Sequence, residues 1–235
     1  PLVPRAAGTS LAGQVVGHGI IVDISRYWRK IIEINTSAHW VRVDSGVILD
    51  ELNLVLKPHG LFFGPETSTS NRCMIAGMVG NNSCGSHSIL YGSTRDHTIS
   101  VKMILDDGIE YEFGPLSNDE FRIKTQLEGK EGDIYRFIQN KLSDNELKNE
   151  ILNQYPEPSV KRRNTGYAID FLLDSNVFSD NTSPFNLSKL IAGSEGTLGF
   201  ITEIKLNLVP LPPNEKAVIA VHLLERNHAF KANLI

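Results

Sequence analysis

Pro4-Arg5-Ala6-Ala7-Gly8-Thr9-Ser10-Leu11-Ala12-Gly13-Gln14 is a run of mostly small side chains set between two strand-like segments. Glycine permits positive φ and small side chains let main chain approach a ligand, so successive backbone N–H groups in such a run can converge on a phosphate. Taken alone, the run is equally what a tight turn between strands would show. Working outward, Gly19 to Ile24 is a short β-branched stretch closed by Ser25, the pattern of a buried strand. Trp40 to Asp44 alternates and predicts a half-exposed strand. Between Val47 and Lys57, Ile48, Leu52 and Val55 recur at helical spacing, and Pro58 with Gly60 stops that helix.

Two more segments are dense in glycine and hydroxyl groups. Gly64 to Ser70 runs on through Ile75-Ala76-Gly77-Met78-Val79-Gly80-Asn81-Asn82-Ser83-Cys84-Gly85 to Tyr91-Gly92-Ser93-Thr94-Arg95-Asp96. About thirty residues of little periodicity are uncommon inside a domain unless they serve a function. Gly193-Ser194-Glu195-Gly196-Thr197-Leu198-Gly199 carries three glycines just before a long alternating run. Backbone there is expected to lie close to a ligand or another chain segment.

Between these segments, Thr98 to Leu105 and Ile109 to Phe113 predict a hairpin around Asp106-Asp107-Gly108. Ile134, Phe137, Ile138 and Leu142 form one helical stripe, and Ser143 with Glu146 reads as the capping box of a helix ending before Pro156. Strand character returns from Lys189, with Phe200, Ile204, Leu206 and Leu208 on one face. Pro210, Pro212 and Pro213 mark a boundary at 212, after which Lys216 to Leu223 reads as a strand and His228 to Leu234 as a helix. The start at Pro1, without Met and directly in a strand-like segment, suggests a fragment whose first strands are missing.

At 235 residues the chain can bury roughly 70–75% of its unfolded surface, enough for one large domain or two lobes. A net charge of −4 with 21% charged residues lacks the basic surplus that nucleic acid or anionic membrane would favour. No run of eighteen apolar residues suggests a membrane span and no signal peptide is visible, so a cytoplasmic location is expected. Cys73 and Cys84 are too few and too far apart for a disulfide framework, a structural zinc or an iron–sulfur site within this chain, and no metal site is expected.

In this order and spacing the three glycine segments resemble the FAD-binding domain of the vanillyl-alcohol oxidase superfamily, the p-cresol methylhydroxylase type. The resemblance is closest to its branch of FAD-linked D-lactate, glycolate and D-2-hydroxyglutarate dehydrogenases. A fourth segment, Lys161-Arg162-Arg163-Asn164-Thr165-Gly166-Tyr167-Ala168-Ile169-Asp170, is similar to one in members fused to an iron–sulfur domain. The resemblance spans roughly residues 1 to 212 and implies an α+β domain of two lobes with FAD between them. Residues 213–235 would then begin a truncated substrate or cap domain.

The resemblance implies that Arg5, Ala6, Ala7, Gly8, Thr9 and Ser10 wrap the FAD pyrophosphate. It also implies that Pro65, Glu66 and Thr67 with Ala76, Gly77, Asn81, Asn82 and Gly85 line the isoalloxazine and ribityl chain. Tyr91 and Gly92 would support that loop, and Gly196 to Ile201 would contact the adenine half. Covalent members link flavin through a histidine where this chain has Thr9, so noncovalent FAD is implied. The implied reaction moves hydride from C2 of a D-2-hydroxyacid to flavin N5 and passes electrons to a downstream carrier. Any iron–sulfur cluster would lie in the absent part of the protein.

Individual residues leave alternatives. His87 and His97 read as structural hydrogen-bonding residues. Arg162 and Arg163 are either a solvated pair or a guanidinium for a substrate carboxylate. Asn82, whose amide could match a flavin edge, and Arg163 are the candidate catalytic residues. A sugar or alcohol oxidase on the same fold, and a flavin-binding module without activity of its own, are the alternative functions.

Overall fold

The computed structural model describes residues 1–157, 159–160, 162–164, 166–215 and 217–232. The chain opens with β1 (Leu2–Arg5) and β2 (Ile20–Asp23), then β3 (Ile31–Asn35), β4 (Trp40–Asp44), α1 (Leu49–Leu56) and β5 (Leu61–Phe62). Three short helices follow, α2 (Ile75–Asn81), α3 (Ser88–Tyr91) and α4 (Thr94–His97), leading into β6 (Thr98–Ile104), β7 (Glu110–Phe113) and β8 (Pro115–Leu116). A helical stretch of α5 (Asn118–Gln126), α6 (Lys130–Leu142), α7 (Asn145–Gln154) and α8 (Ile169–Leu173) precedes β9 (Phe185–Asn186) and α9 (Ser188–Ile191). The chain closes with β10 (Phe200–Asn207), β11 (Val209–Pro210) and α10 (Arg226–Ala232). None of the described helices is long and apolar enough to cross a membrane.

The main sheet is antiparallel with strand order β3-β4-β10-β6-β7. Alternation explains β4, where Val41 and Val43 are fully buried. It also explains the β6–β7 hairpin, paired from Val101 with Phe113 to Ile104 with Glu110. In β10 the buried residues are Ile201, Ile204 and Leu206, with Leu208 just beyond. Phe200 is not on that face, because a register shift between Ile201 and Glu203 moves the inward positions by one residue.

Helix phase is the commonest difference from expectation. The buried stripe of α1 is Leu49, Leu52 and Leu56, while Val55 is exposed. In α6 Tyr135 goes inward and Phe137 outward. Tyr135 joins Phe121, Phe178 and Phe185 in a cluster of edge-on rings, with the Phe121 and Phe185 centroids 4.7 Å apart. The cap of α7 is Asp144, which accepts the Glu146 and Leu147 amides, so the predicted Ser143 box lies one residue early. Lys189 sits in α9 and not in a strand. Residues 217–223 adopt no regular strand, Lys216 lies outside the described residues, and α10 begins at Arg226. Leu234 likewise lies outside them.

The first two strands hold the largest surprise. They pair in parallel, Leu2 with Ile20 through Arg5 with Asp23, as a separate two-stranded sheet. Parallel neighbours cannot be joined by a tight turn, so residues 6–19 form a crossover loop. The expected buried strand at 19–24 is instead largely exposed, with Ile20 at 68% and Ile21 at 43%, because two strands alone enclose no core.

Two cations, the buried Arg95 and the half-buried Lys189, pin α4 to α9. The Arg95 guanidinium donates to the carbonyls of Lys189, Ala192 and Gly166, and the Lys189 ammonium to those of Arg95, Asp96 and Thr98. Burial brings the Lys189 amine down to about 8. Its folded value therefore lies below its unfolded value near 10.4, and between the two the unfolded chain binds the extra proton. Stability from this residue is expected to rise as pH goes from 8 to 10. The wild-type melting temperature should gain over that interval relative to Lys189→Met, and parallel trends in the two proteins would refute the assignment.

Candidate functional site

The crossover loop faces α2 and the glycine turn before β10 across a cleft of about 640 Å³, within the range of small-molecule and cofactor sites. The sequence of α2 explains how that wall is built. Ile75, Met78 and Val79 are buried at helical spacing, which turns Gly77 toward the loop. A Cβ on Gly77 would come within 2.9 Å of the Ala6 Cβ. Glycine inside a helix costs about 1 kcal/mol relative to alanine, and here that cost permits close approach of helix and loop. The glycine turn then seats on the carbonyls at the end of α2, since Gly193 N donates to Val79 O at 2.9 Å and Glu195 N to Gly80 O at 3.0 Å.

Within the loop Gly8 has φ +63°, and Gly196 on the facing wall has φ +76°, with Pro4 Cγ only 2.9 Å from where its Cβ would stand. The Arg5 guanidinium donates to Val15 O across the loop and holds it folded back. The lining comprises Arg5 to Ser10, Thr67, Ala76, Gly77, Asn81, Gly85, Gly196 and Ile201 among the residues implied by sequence. Bare main chain on three sides, in conformations and spacings that side chains would obstruct, is what a large phosphate-bearing cofactor needs. The residues present therefore fit FAD.

Other named residues stand elsewhere. Pro65 is buried, and Glu66, not itself in the lining, accepts hydrogen bonds from Ser86 Oγ and His87 Nδ1. Tyr91 packs beneath Gly64 and edge-on to Phe62 at 5.2 Å, while Gly92 closes against Asp96. His97 is held between the carbonyls of Tyr91 and Asn207.

The two catalytic candidates lie off the cleft lining. Asn82 is fully buried, its Oδ1 accepting Arg95 N at 2.8 Å, and its Nδ2 finds no acceptor among the described residues. The left-handed turn at Asn82, φ +47°, accompanies this inward placement of its amide beside Arg95. Arg163 is paired with Asp170 and lies over the Phe171 ring at 4.8 Å, an inward structural role.

The cleft also contains Arg162, one of the two arginines weighed from sequence, and residues to which sequence reading gave no role, among them Gln14, Thr69, Ser83 and Glu195. Burial pushes the Glu195 carboxyl upward, partly opposed by a hydrogen bond from Gln14. Gln14 and Glu195 stand inside glycine-rich segments, and that position was the one signal available. Burial likewise raises the Cys73 thiol, which also lines the cleft.

The profile of the FAD binding domain family matches residues 1–114, which hold the crossover loop and α2. Over these residues the chain is similar to that family. The chain is 40% identical to D-2-hydroxyglutarate dehydrogenase of Pantoea ananatis over 92% of its own length and 20% of the relative's. It is 39% identical to the Escherichia coli enzyme of that name, again over 92% and 20%. With the glycolate oxidase subunit GlcD of Bacillus subtilis it shares 24% identity over 94% of this chain and 34% of the relative. The chain thus spans about a fifth of the length of the dehydrogenases it matches. Among solved structures, alkyldihydroxyacetonephosphate synthase superposes with a TM-score of 0.53 at 17% identity, over 90% of this chain and 27% of that one. That similarity establishes the FAD-binding fold and nothing about activity.

Proposed function

We propose that the chain is the FAD-binding part of an FAD-dependent 2-hydroxyacid dehydrogenase that holds its flavin without a covalent bond. The observation that carries this reading is the cleft itself, where bare main chain of the loop, α2 and the glycine turn surrounds one volume, the first two within the residues that match the FAD binding domain family. The two D-2-hydroxyglutarate dehydrogenases, at about 40% identity, favour a D-2-hydroxyacid as substrate class. Bound FAD supplies a hydride acceptor at N5 of its ring system. The residues of this chain would grip and orient it: Arg5 to Ser10 would offer backbone N–H groups to the diphosphate, and Ala76, Gly77 and Gly196 would leave room beside it. Substrate positioning and proton removal belong to residues beyond this chain, and electrons pass to a further carrier, including any iron–sulfur module of the longer protein. Residues after 212 begin a cap or substrate domain.

Acid precipitation of the flavin-loaded chain tests the noncovalent link. Thr9 has no imidazole to bond the flavin, and Cys84 Sγ already accepts a hydrogen bond from Asn164 at 2.8 Å. The yellow colour is expected in the supernatant. Colour retained in the washed pellet would show a covalent bond and refute the reading.

A further inference from the structure

We propose that Arg162 is an anion-binding residue of the cleft, presented by a strap of chain tied to both cleft walls. The proposal rests on the cleft being the FAD site and adds a residue to it. The strap is anchored on one side by Asn164, whose Nδ2 donates to Asn82 O at 3.0 Å and to Cys84 Sγ at 2.8 Å. On the other side the Tyr167 hydroxyl lies 2.5 Å from that of Thr197 in the glycine turn. Between them Gly166 O accepts from Arg95 at 3.1 Å, and the Tyr155 hydroxyl donates to Tyr167 O at 2.8 Å. Lys161 and Thr165 lie outside the described residues.

These anchors separate two adjacent arginines that sequence leaves equivalent. Arg163 is committed inward to Asp170 and Phe171, with its side chain 22% exposed. Arg162 lines the cleft, and among the described residues no carboxylate pairs with it. The cleft lining contains two guanidiniums, Arg5 and Arg162, against the single carboxylate of Glu195. Arg5 spends a donor on Val15 O to hold the loop, whereas among the described residues Arg162 makes no hydrogen bond and keeps its donors for a ligand. A planar guanidinium suits paired anionic oxygens, and a cationic cleft with low-dielectric walls concentrates anions. The ligand chemistry is therefore an anionic oxygen pair, from either the FAD diphosphate or the carboxylate of a hydroxyacid.

Arg162 is exposed, so Arg162→Met, which keeps an apolar stem, and Arg162→Glu should both fold. Each variant and the parent chain would be titrated with FAD and with riboflavin, which has the same ring and no phosphate. The FAD-loaded proteins would then be titrated with oxalate while flavin absorbance is followed. If phosphate is the target, FAD affinity falls about tenfold in Arg162→Met and further in Arg162→Glu, with riboflavin unchanged. If carboxylate is the target, FAD affinity holds and the spectral response to oxalate seen in the parent is lost. FAD affinity and oxalate response both equal to the parent in Arg162→Glu would overturn the proposal. A parent chain that takes up no FAD would instead overturn the flavin reading beneath it.

Discussion

Valine at position 8 is expected to cut the affinity of the chain for FAD about tenfold or more, whereas asparagine there should retain most of it. Gly8 adopts φ +63° at the centre of the crossover loop. A Cβ at this position would meet only Arg5 Cδ at 3.6 Å and Val15 Cγ1 at 3.7 Å, both ordinary contacts. Crowding inside the protein is therefore not the cause, and the penalty is conformational. L-residues pay roughly 1–2 kcal/mol in the left-handed region, more when β-branched, and asparagine is the side chain that tolerates it best. Each 1.4 kcal/mol is about a factor of ten in binding. Because the loop lies on the surface, it would relax to another shape without unfolding the rest, and the loss would appear in FAD affinity before it appears in melting. Fluorescence titration of the folded variants decides the matter, and equal affinity for valine and glycine would show that the diphosphate is held elsewhere.

The FAD-loaded chain is expected not to oxidise D-2-hydroxyacids by itself. Hydride transfer needs the substrate carbon held near flavin N5, and positioning of this kind supplies up to about 7–11 kcal/mol, many orders of magnitude in rate. The histidines near the cleft loops are engaged elsewhere, His87 bonded to Glu66 and His97 held between two carbonyls, and of the cleft lining only Glu195 carries a carboxylate. Asn82 and Arg163, an amide and a guanidinium, are not proton acceptors. Among the described residues no cluster of three metal-ligating side chains exists to substitute for a base. Anaerobic mixing with D-2-hydroxyglutarate, D-lactate or glycolate should leave the flavin absorbance unchanged for many minutes. Rapid bleaching with any of them would mean that Glu195 or Arg162, the polar groups on the cleft wall, already complete an active site.

Where burial alternates along a regular element, the sequence is legible. Trp40 to Asp44 shows its strand because Val41 and Val43 face one core, and Thr98 to Phe113 shows its hairpin because a glycine turn separates two such runs. Legibility fails where a position is decided by distant chain. Helix α2 is hidden by Gly77 and Gly80, poor helix formers whose value lies in contacts with residues 6 and 195. Val55 and Phe137 look like core because spacing cannot say which of two neighbouring stripes meets the sheet. The loops that form the cleft are visible as glycine-rich segments, yet the inward turn of Asn82 depends on Arg95, and the fate of Arg163 on Asp170. Lys189 and Arg95 are more than ninety residues apart, and nothing in the local pattern around either announces their shared buried site.

The parallel pair β1 and β2 has a consequence for how the empty protein behaves. Four residue pairs in register, with Leu2, Ile20 and Ile21 exposed, are too little to hold a segment of chain against its own entropy, so in this chain the sheet is among the least stable parts. The crossover loop hangs from it. A ligand that grips the loop thus also fastens the first two dozen residues, and part of its intrinsic affinity is consumed in doing so. Within this chain, ordering of residues 1–24 is therefore expected to be coupled to cofactor binding, and added FAD should slow proteolytic cleavage of that segment.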